Sequence, residues 1–281
     1  MSYAFNHLKP IQEILERVPF GLITDVDGTI SKTAPTPQQA RVSPLCRHYL
    51  LKLSSHLALV AAISGRPVNQ VRKMVGIDNM VYIGNHGMER GRGVKNEFPD
   101  ITHDYSRVIK SMIKELTPLL SSEGISIEDK GVTATIHYRL SPEPQLAERK
   151  ILNTLNASTR AKSLRVIRGK MSFNLLPPTE TDKGTATMDL IREYNLQGGI
   201  YLGDDYTDID AFKAIHTARH NRNFQGLAIG IISSETPEKL VTEADFTLNG
   251  VGDVEHFLKW MTENALQSSW PHPPTDTRAN D

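Results

Sequence analysis

The sequence predicts an α/β protein: a Rossmann-like core with a parallel sheet, interrupted by an inserted α-β-β-α-β-β cap. Three observations predict it. Short apolar runs without alternation, such as Leu57–Ile63, read as strands covered on both faces. They alternate with segments of helical periodicity, the pattern of a parallel sheet with helices packed on it. Between about residues 90 and 177 the rhythm changes to period-2 strands joined by tight turns, which reads as an antiparallel sheet with helices on one face.

Each element follows in order. Ile11, Ile14, Leu15 and Val18 recur at i, i+3, i+4, i+7, an amphipathic helix that Pro19 and Gly21 end. Gly21-Leu22-Ile23-Thr24 then runs into Asp25 as a short buried strand. Ser43-Pro44 opens a helix, with serine as N-cap and proline at the first helical position, and that helix leads to the strand at Leu57–Ile63. Pro67 starts another helix that Gly76 can terminate, and Met80–Ile83 is again a strand. In the inserted unit, a helix around Tyr105–Leu120 precedes strands Ile125–Glu128 and Thr133–Tyr138, joined at Lys130-Gly131. A second helix around Pro144–Leu155 precedes Leu164–Ile167 and Met171–Leu175, with the turn at Gly169. After Pro177-Pro178 the core resumes with helix Lys183–Tyr194, strand Gly199–Leu202, helix Ile209–Ala218 and strand Leu227–Ile231. The expected division is core 1–89, cap 90–177, core 178–267, and a Pro-rich polar tail over 268–281 that is expected to be disordered.

Composition narrows the class without reaching the chemistry. The chain has 281 residues with 32 Lys+Arg against 32 Asp+Glu, so no net basic charge favours nucleic acid or a membrane surface. Hydrophobic content of 39% is too high for a disordered chain and ordinary for a globular one. No apolar run approaches the roughly 20 residues that span a bilayer, and the N-terminus lacks the features of a signal peptide. Cys46 is the single cysteine, which excludes an internal disulfide and a cysteine-rich zinc site. A soluble cytoplasmic protein is expected, and a monomer is compatible with it.

Four motifs carry chemistry. Asp25-Val26-Asp27-Gly28-Thr29 sets two carboxylates two apart at the exit of the first apolar strand, where open α/β sheets bind ligands. A polar turn capped by Asp and Gly is the plainer reading of that segment. Ser64-Gly65-Arg66 follows the second strand and precedes a helix, where a hydroxyl and backbone N–H groups can hold an anion. For Ser64 alone, an N-cap before Pro67 is the simpler explanation. Asp182-Lys183-Gly184 opens a helix with a lysine that opposes the helix dipole, against the alternative of an Asp cap beside a solvated lysine. Gly203-Asp204-Asp205-Tyr206-Thr207-Asp208 brings three more acids to the same sheet edge, a density that suggests a hard divalent cation.

These four motifs resemble those of the haloacid-dehalogenase-like phosphohydrolases, and the α-β-β-α-β-β insertion resembles the cap of their sugar-phosphatase branch. Finer matches resemble the trehalose-6-phosphate phosphatase family: Gly84-Asn85-His86-Gly87-Met88-Glu89, Glu128-Asp129-Lys130 running to His137-Tyr138-Arg139, and the acidic segment extended through Ile209-Asp210-Ala211-Phe212. The likeness runs from about Phe20 to Trp260.

The resemblance implies a Mg2+-dependent phosphatase in which Asp25 is the nucleophile that forms an aspartyl-phosphate. Asp27 is expected to protonate the leaving oxygen and later activate water, and neighbouring carboxylates are expected to favour its protonated form. The metal is expected on Asp25, the backbone carbonyl of Asp27, and Asp204, with Asp205 and Asp208 behind them or as alternative ligands. Ser64 is expected to bond the phosphoryl oxygens, and Lys183 to balance their charge and that of Asp25. Arg66, Asn85, His86, Glu89, Glu128, Lys130, Arg139 and Asn174 are the candidates for holding substrate. The plainer reading of the strand charges is a solvated face, and of His86 a filler for a Gly-flanked turn.

One departure bears on the sugar. The family usually carries a glutamate, an apolar residue, Arg and Pro on the last cap strand, and this chain has Asn174-Leu175-Leu176-Pro177. Asn174 donates as well as accepts and has no charge. Trehalose 6-phosphate is therefore the leading substrate, with sucrose phosphate or a glycosyl-phosphoglycerate as the alternative. A phosphomutase is a further alternative, distinguished by whether inorganic phosphate accumulates.

Overall fold

The computed structural model describes residues 2–92, 95–97, 102–220 and 223–265. In chain order the elements are α1 (Leu8–Leu15), β1 (Phe20–Thr24), α2 (Pro44–Ser54), β2 (Leu59–Ile63), α3 (Val68–Val75), β3 (Val81–Gly84), β4 (Glu89–Arg92), β5 (Lys95–Glu97), α4 (Thr102–Leu119), β6 (Ser126–Asp129), β7 (Ala134–His137), α5 (Pro144–Ala157), β8 (Arg165–Gly169), β9 (Ser172–Leu176), α6 (Lys183–Glu193), β10 (Gly198–Gly203), α7 (Asp208–Ala218), β11 (Gln225–Ile232), α8 (Glu238–Glu243), β12 (Phe246–Asn249) and α9 (Gly250–Ala265).

The large sheet has the order β12-β11-β10-β1-β2-β3-β4-β5. Its first six strands run parallel, and β4 and β5 add to the edge antiparallel. Strand β1 is buried throughout, and alternate residues serve opposite layers: Leu22 packs with Val60, Ile200 and Phe257, while Ile23 packs with Ala61, Tyr201 and Phe212. That double burial explains why its sequence shows no alternation. Asp25, Ser64, Asn85 and Asp204 each follow directly on the last residue of a parallel strand, so the connectivity gathers them at one sheet edge.

Local signals place the helices. Ser43 Oγ accepts from the N–H groups of Leu45 and Cys46, as its N-cap position predicts. Gly76 ends α3 at φ +64, a left-handed conformation that glycine adopts without steric cost. The strands β4 and β5 and the final β12–α9 unit lie outside the elements read from the sequence.

The second sheet has the order β6-β7-β9-β8, all antiparallel, and α4 and α5 cover one face of it. Ala134, Ile136, Phe173 and Leu175 point to those helices and meet Met112, Leu116 and Ile151. Their strand neighbours Thr135, His137, Ser172 and Asn174 point to the opposite side and line a cavity beneath it. Strand β8 continues through Gly169, so the turn read at that glycine falls instead on Lys170-Met171, with Met171 at φ +52. The tail expected to be disordered, 268–281, lies outside the described residues. Among the described residues no helix is long and apolar enough to cross a membrane.

Candidate active site

The two sheets face each other across a polar cavity. Asp25, Asp27, Ser64, Arg66, His86, Lys183 and Asp205 line it from the large sheet. Glu128, Lys130, Thr135, His137, Arg139, Lys170, Ser172 and Asn174 line it from the small one.

At its floor, Asp25 is 5% exposed and accepts a 2.6 Å hydrogen bond from Lys183 Nζ. The same ammonium donates to Asp208 Oδ1 at 2.8 Å. Lys183 reaches this position because Asp182 caps α6 through a reciprocal box with Thr185, which fixes the first turn. The Asp cap expected as the plain alternative is present, but the lysine beside it is buried rather than solvated. Burial opposes its charge, yet Asp208 and Asp25 outweigh burial and hold it protonated.

Asp208 organises the acidic loop. Its Oδ1 accepts from Lys183 and from the Tyr201 hydroxyl at 2.8 Å, and its Oδ2 accepts from the N–H groups of Asp204 at 3.0 Å and Asp205 at 2.9 Å. Four bonds fill the acceptor positions of one carboxylate. Asp205 lines the cavity, with Oδ1 on the Tyr206 N–H at 2.7 Å and Oδ2 facing the Lys170 N–H at 3.3 Å.

Asp25, Asp204 and Asp208 each present an oxygen within 4.8 Å of the others. A Cβ at Gly28, whose φ is +91, would lie 1.9 Å from Asp204 Oδ2, so only glycine lets the Asp25–Thr29 turn approach that carboxylate. Burial pushes Asp25 well above the ordinary carboxyl range against the pull of Lys183, with Asp208 and Asp204 adding to the rise. Burial likewise pushes Asp204 up to about 7, opposed by Lys170. Hard oxygens crowded into a buried cluster short of positive charge fit a divalent cation.

The surroundings of Asp27 differ from expectation. Its side chain is held by Arg66 in a bidentate pair, Nε to Oδ2 at 2.6 Å and a second nitrogen to Oδ1 at 2.8 Å. Ser64 does not cap α3; its Oγ accepts the Arg66 N–H at 3.2 Å, leaving its own proton to donate into the cavity. His86 both fills a tight turn, at φ +59, and lines the cavity, and burial keeps its imidazole neutral.

Asn85 and Glu89 are drawn away from the cavity. Asn85 Nδ2 donates to Glu89 Oε2 at 2.8 Å, and the same oxygen accepts the Val68 N–H at 2.9 Å. Asn85 Oδ1 accepts from Thr133 Oγ1 at 2.6 Å, which ties the second sheet to the first. Neither residue lines the cavity, and their hydrogen bonds form a brace between the sheets.

On the small sheet, Glu128, Thr135 and Asn174 are paired across β6, β7 and β9 in register. Glu128 bonds His137 Nε2 at 2.9 Å, and despite burial that bond and Lys130 hold its carboxyl below the ordinary range. Lys130 Nζ donates to the Gly65 carbonyl at 3.0 Å, and Asn174 Oδ1 accepts from Thr135 Oγ1 at 2.8 Å. Arg139 pairs with Glu235 at 2.5 Å. Sequence reasoning missed Lys170, whose Nζ pairs with Asp204, along with Thr135, Ser172 and the Thr33–Pro37 wall. The alternation that singles out Glu128 extends to Thr135, but no motif flags a lysine in a turn.

The family model described as trehalose-phosphatase matches residues 23–251. A probable trehalose-phosphate phosphatase I of Arabidopsis thaliana is 26% identical over 276 residues, covering 92% of this chain and 72% of the relative. A trehalose-phosphate phosphatase of Mycobacterium leprae is 30% identical over 252 residues, covering 84% of this chain and 56% of the relative. Among solved structures, the C-terminal domain of C. albicans trehalose-6-phosphate phosphatase superposes with a TM-score of 0.78 at 20% identity, covering 92% of this chain and 97% of that one. A trehalose-6-phosphate phosphatase related protein gives 0.69 at 20% identity over 88% and 99%. The chain belongs to the trehalose-phosphatase family of phosphomonoester hydrolases.

Proposed function

We propose that the chain hydrolyses trehalose 6-phosphate to trehalose and inorganic phosphate, with Mg2+ as cofactor and an aspartyl-phosphate on Asp25 as intermediate. The observation that carries this reading is Asp25 itself: a buried carboxylate held by Lys183 at the edge of the acidic cluster, facing a polar cavity. Asp25, Asp204 and the backbone carbonyl of Asp27 would hold the ion, with Asp208 and Asp205 shaping the loop behind them. When bound, Mg2+ supplies charge neutralisation that lets an anionic nucleophile approach an anionic phosphoryl group.

Asp25 attacks phosphorus and the bond to the sugar oxygen breaks. Lys183 and the Ser64 hydroxyl bind the phosphoryl oxygens. Asp27, at the cavity mouth with its side chain 37% exposed, protonates the departing sugar oxygen and then takes a proton from water, whose oxygen bonds phosphorus as the Asp25–phosphorus bond breaks and inorganic phosphate leaves. Arg66 aims the Asp27 carboxyl, and it must loosen its bidentate grip when Asp27 takes up a proton.

The small sheet acts as the cap. Glu128, Lys130, His137 and Arg139 offer hydrogen bonds to sugar hydroxyls, and closure removes water from the phosphoryl centre. The uncharged Asn174, bonded to Thr135, favours keeping a second reading, a different disaccharide or glycosyl phosphate. The single cysteine, Cys46, is buried and suits a reducing cytoplasm.

The test is phosphate release from trehalose, sucrose, glucose, mannose and glycosyl-glycerate phosphates, with Mg2+ and with EDTA. Preference for trehalose 6-phosphate supports the first reading. Mg2+-dependent release that favours another sugar supports the second, and silence across the panel overturns both.

A further inference from the structure

The lysine that sequence reasoning passed over has an unusual position. Lys170 occupies the tip of the β8–β9 turn, so it belongs to the small sheet, yet its ammonium pairs with Asp204 on the large one. Its side chain is 8% exposed and that of Asp204 2%. The turn is seated against the acidic loop by its backbone as well, since the Lys170 N–H faces Asp205 Oδ2 at 3.3 Å.

The other cations of the cavity are committed elsewhere. Lys183 bridges Asp25 and Asp208, Arg66 grips Asp27, and Lys130 donates to the Gly65 carbonyl beside Glu128. Lys183 also rests on a carboxylate that the ion of the proposed function requires, Asp25, but it keeps Asp208 as a second partner, whereas Asp204 is the one carboxylate paired with Lys170 among the described residues. A buried ammonium deprived of its carboxylate needs another anion. The anion that arrives next to the ion is the phosphoryl group.

We propose that Lys170 is a phosphate-binding residue that changes partner: it neutralises Asp204 in the ion-free protein, yields that carboxylate to the divalent ion, and passes to the phosphoryl oxygens of the substrate. The phosphate site is then complete only while the small sheet is docked, and docking of the sugar-binding face and charge balance at phosphorus become one event. The proposal rests on the metal-dependent reading above.

The experiment is calorimetric titration of the full chain with Mg2+ alone, then with inorganic phosphate at saturating Mg2+, for wild type, K170M and K170R. In K170M the Mg2+ affinity rises several-fold because Asp204 is freed, while phosphate affinity falls by about ten-fold or more through loss of a charge-assisted bond. K170R keeps the charge and restores phosphate binding to within about three-fold of wild type. Opposite signs for the two ligands separate this role from a clamp between the sheets, whose loss loosens the cap without touching inorganic phosphate on the large sheet. Unchanged phosphate affinity in K170M, or weaker Mg2+ binding, overturns the proposal and leaves the metal reading standing. Failure of wild type and K170M alike to bind Mg2+ overturns both.

Discussion

The two walls of the cavity are built on opposite principles. On the large-sheet side, charges are buried and answer one another within a few residues of strand ends: Asp25, Lys183, Asp208 and Tyr201 form one hydrogen-bonded chain. On the small-sheet side, the polar residues stand at alternate positions on one face, some paired with a neighbour on the next strand, as Glu128 with His137 and Thr135 with Asn174, and others with the large-sheet side, as Lys130 with the Gly65 carbonyl. The first arrangement fixes charge in place for a reaction at one atom, and any uncompensated member is costly. The second spreads its polarity over separate pairs, so the loss of one hydrogen bond leaves the others in place. Lys170, which reaches from the small sheet to Asp204, is the point at which the two walls meet.

Substitutions should expose that contrast, with the largest effects on the large-sheet side. Asp25→Asn should lower phosphate release by about 10^4-fold or more with the circular dichroism spectrum unchanged. Substantial residual turnover would remove Asp25 from its role. Lys183→Met leaves Asp25 and Asp208 without their shared cation, and urea denaturation at neutral pH should show a loss of about 3–5 kcal/mol. A second change, Asp208→Asn, should then recover part of that loss; no recovery would mean the three groups do not act as one unit.

On the small-sheet side the effects should be smaller and confined to the sugar. Glu128→Ala should raise KM for the preferred sugar phosphate by about ten-fold while leaving p-nitrophenyl phosphate, which has no sugar, unchanged. An equal loss on both substrates would make Glu128 part of the reaction centre and blur the distinction between the two walls.

The smallest effect concerns pH. Asp204 holds its proton up to about 7 because it is buried, whereas an unfolded aspartate releases it near the ordinary value of 3.8. Between those values the unfolded state binds fewer protons than the native state, so this group lowers stability as pH rises. A divalent ion offsets that penalty only where the carboxylate is ionised. Mg2+ should therefore raise Tm by a few degrees more at pH 8 than at pH 5. Equal increments at the two pH values would place the ion away from Asp204.

Much of the large-sheet site is legible in the primary structure, because three of its motifs sit where a buried strand ends and the fourth opens a helix. A strand covered on both faces must be apolar, so the first polar residue after it marks the sheet edge at which ligands collect. Asp25, Ser64 and Asp204 are found this way, and Lys183 by its place in the first turn of a helix, where its charge opposes the dipole. The small-sheet candidates Glu128 and Asn174 come from the family resemblance, since alternation assigns residues to one face without saying what that face meets.

What only the tertiary structure decides is which charge answers which. Arg66 and Asp27 are 39 residues apart and form a bidentate pair, where the resemblance implied carboxylates beside that aspartate. Asn85 and Glu89 belong to a motif that points toward substrate, yet they bond each other, Val68 and Thr133 as a brace. Lys170 reaches Asp204 across 34 positions and between two sheets. Period, caps and strand-end polarity are local properties, set by backbone geometry within a few residues, so a sequence states them directly. Ion pairing in a buried site depends on how separately folded layers dock, and that distance is written only in three dimensions.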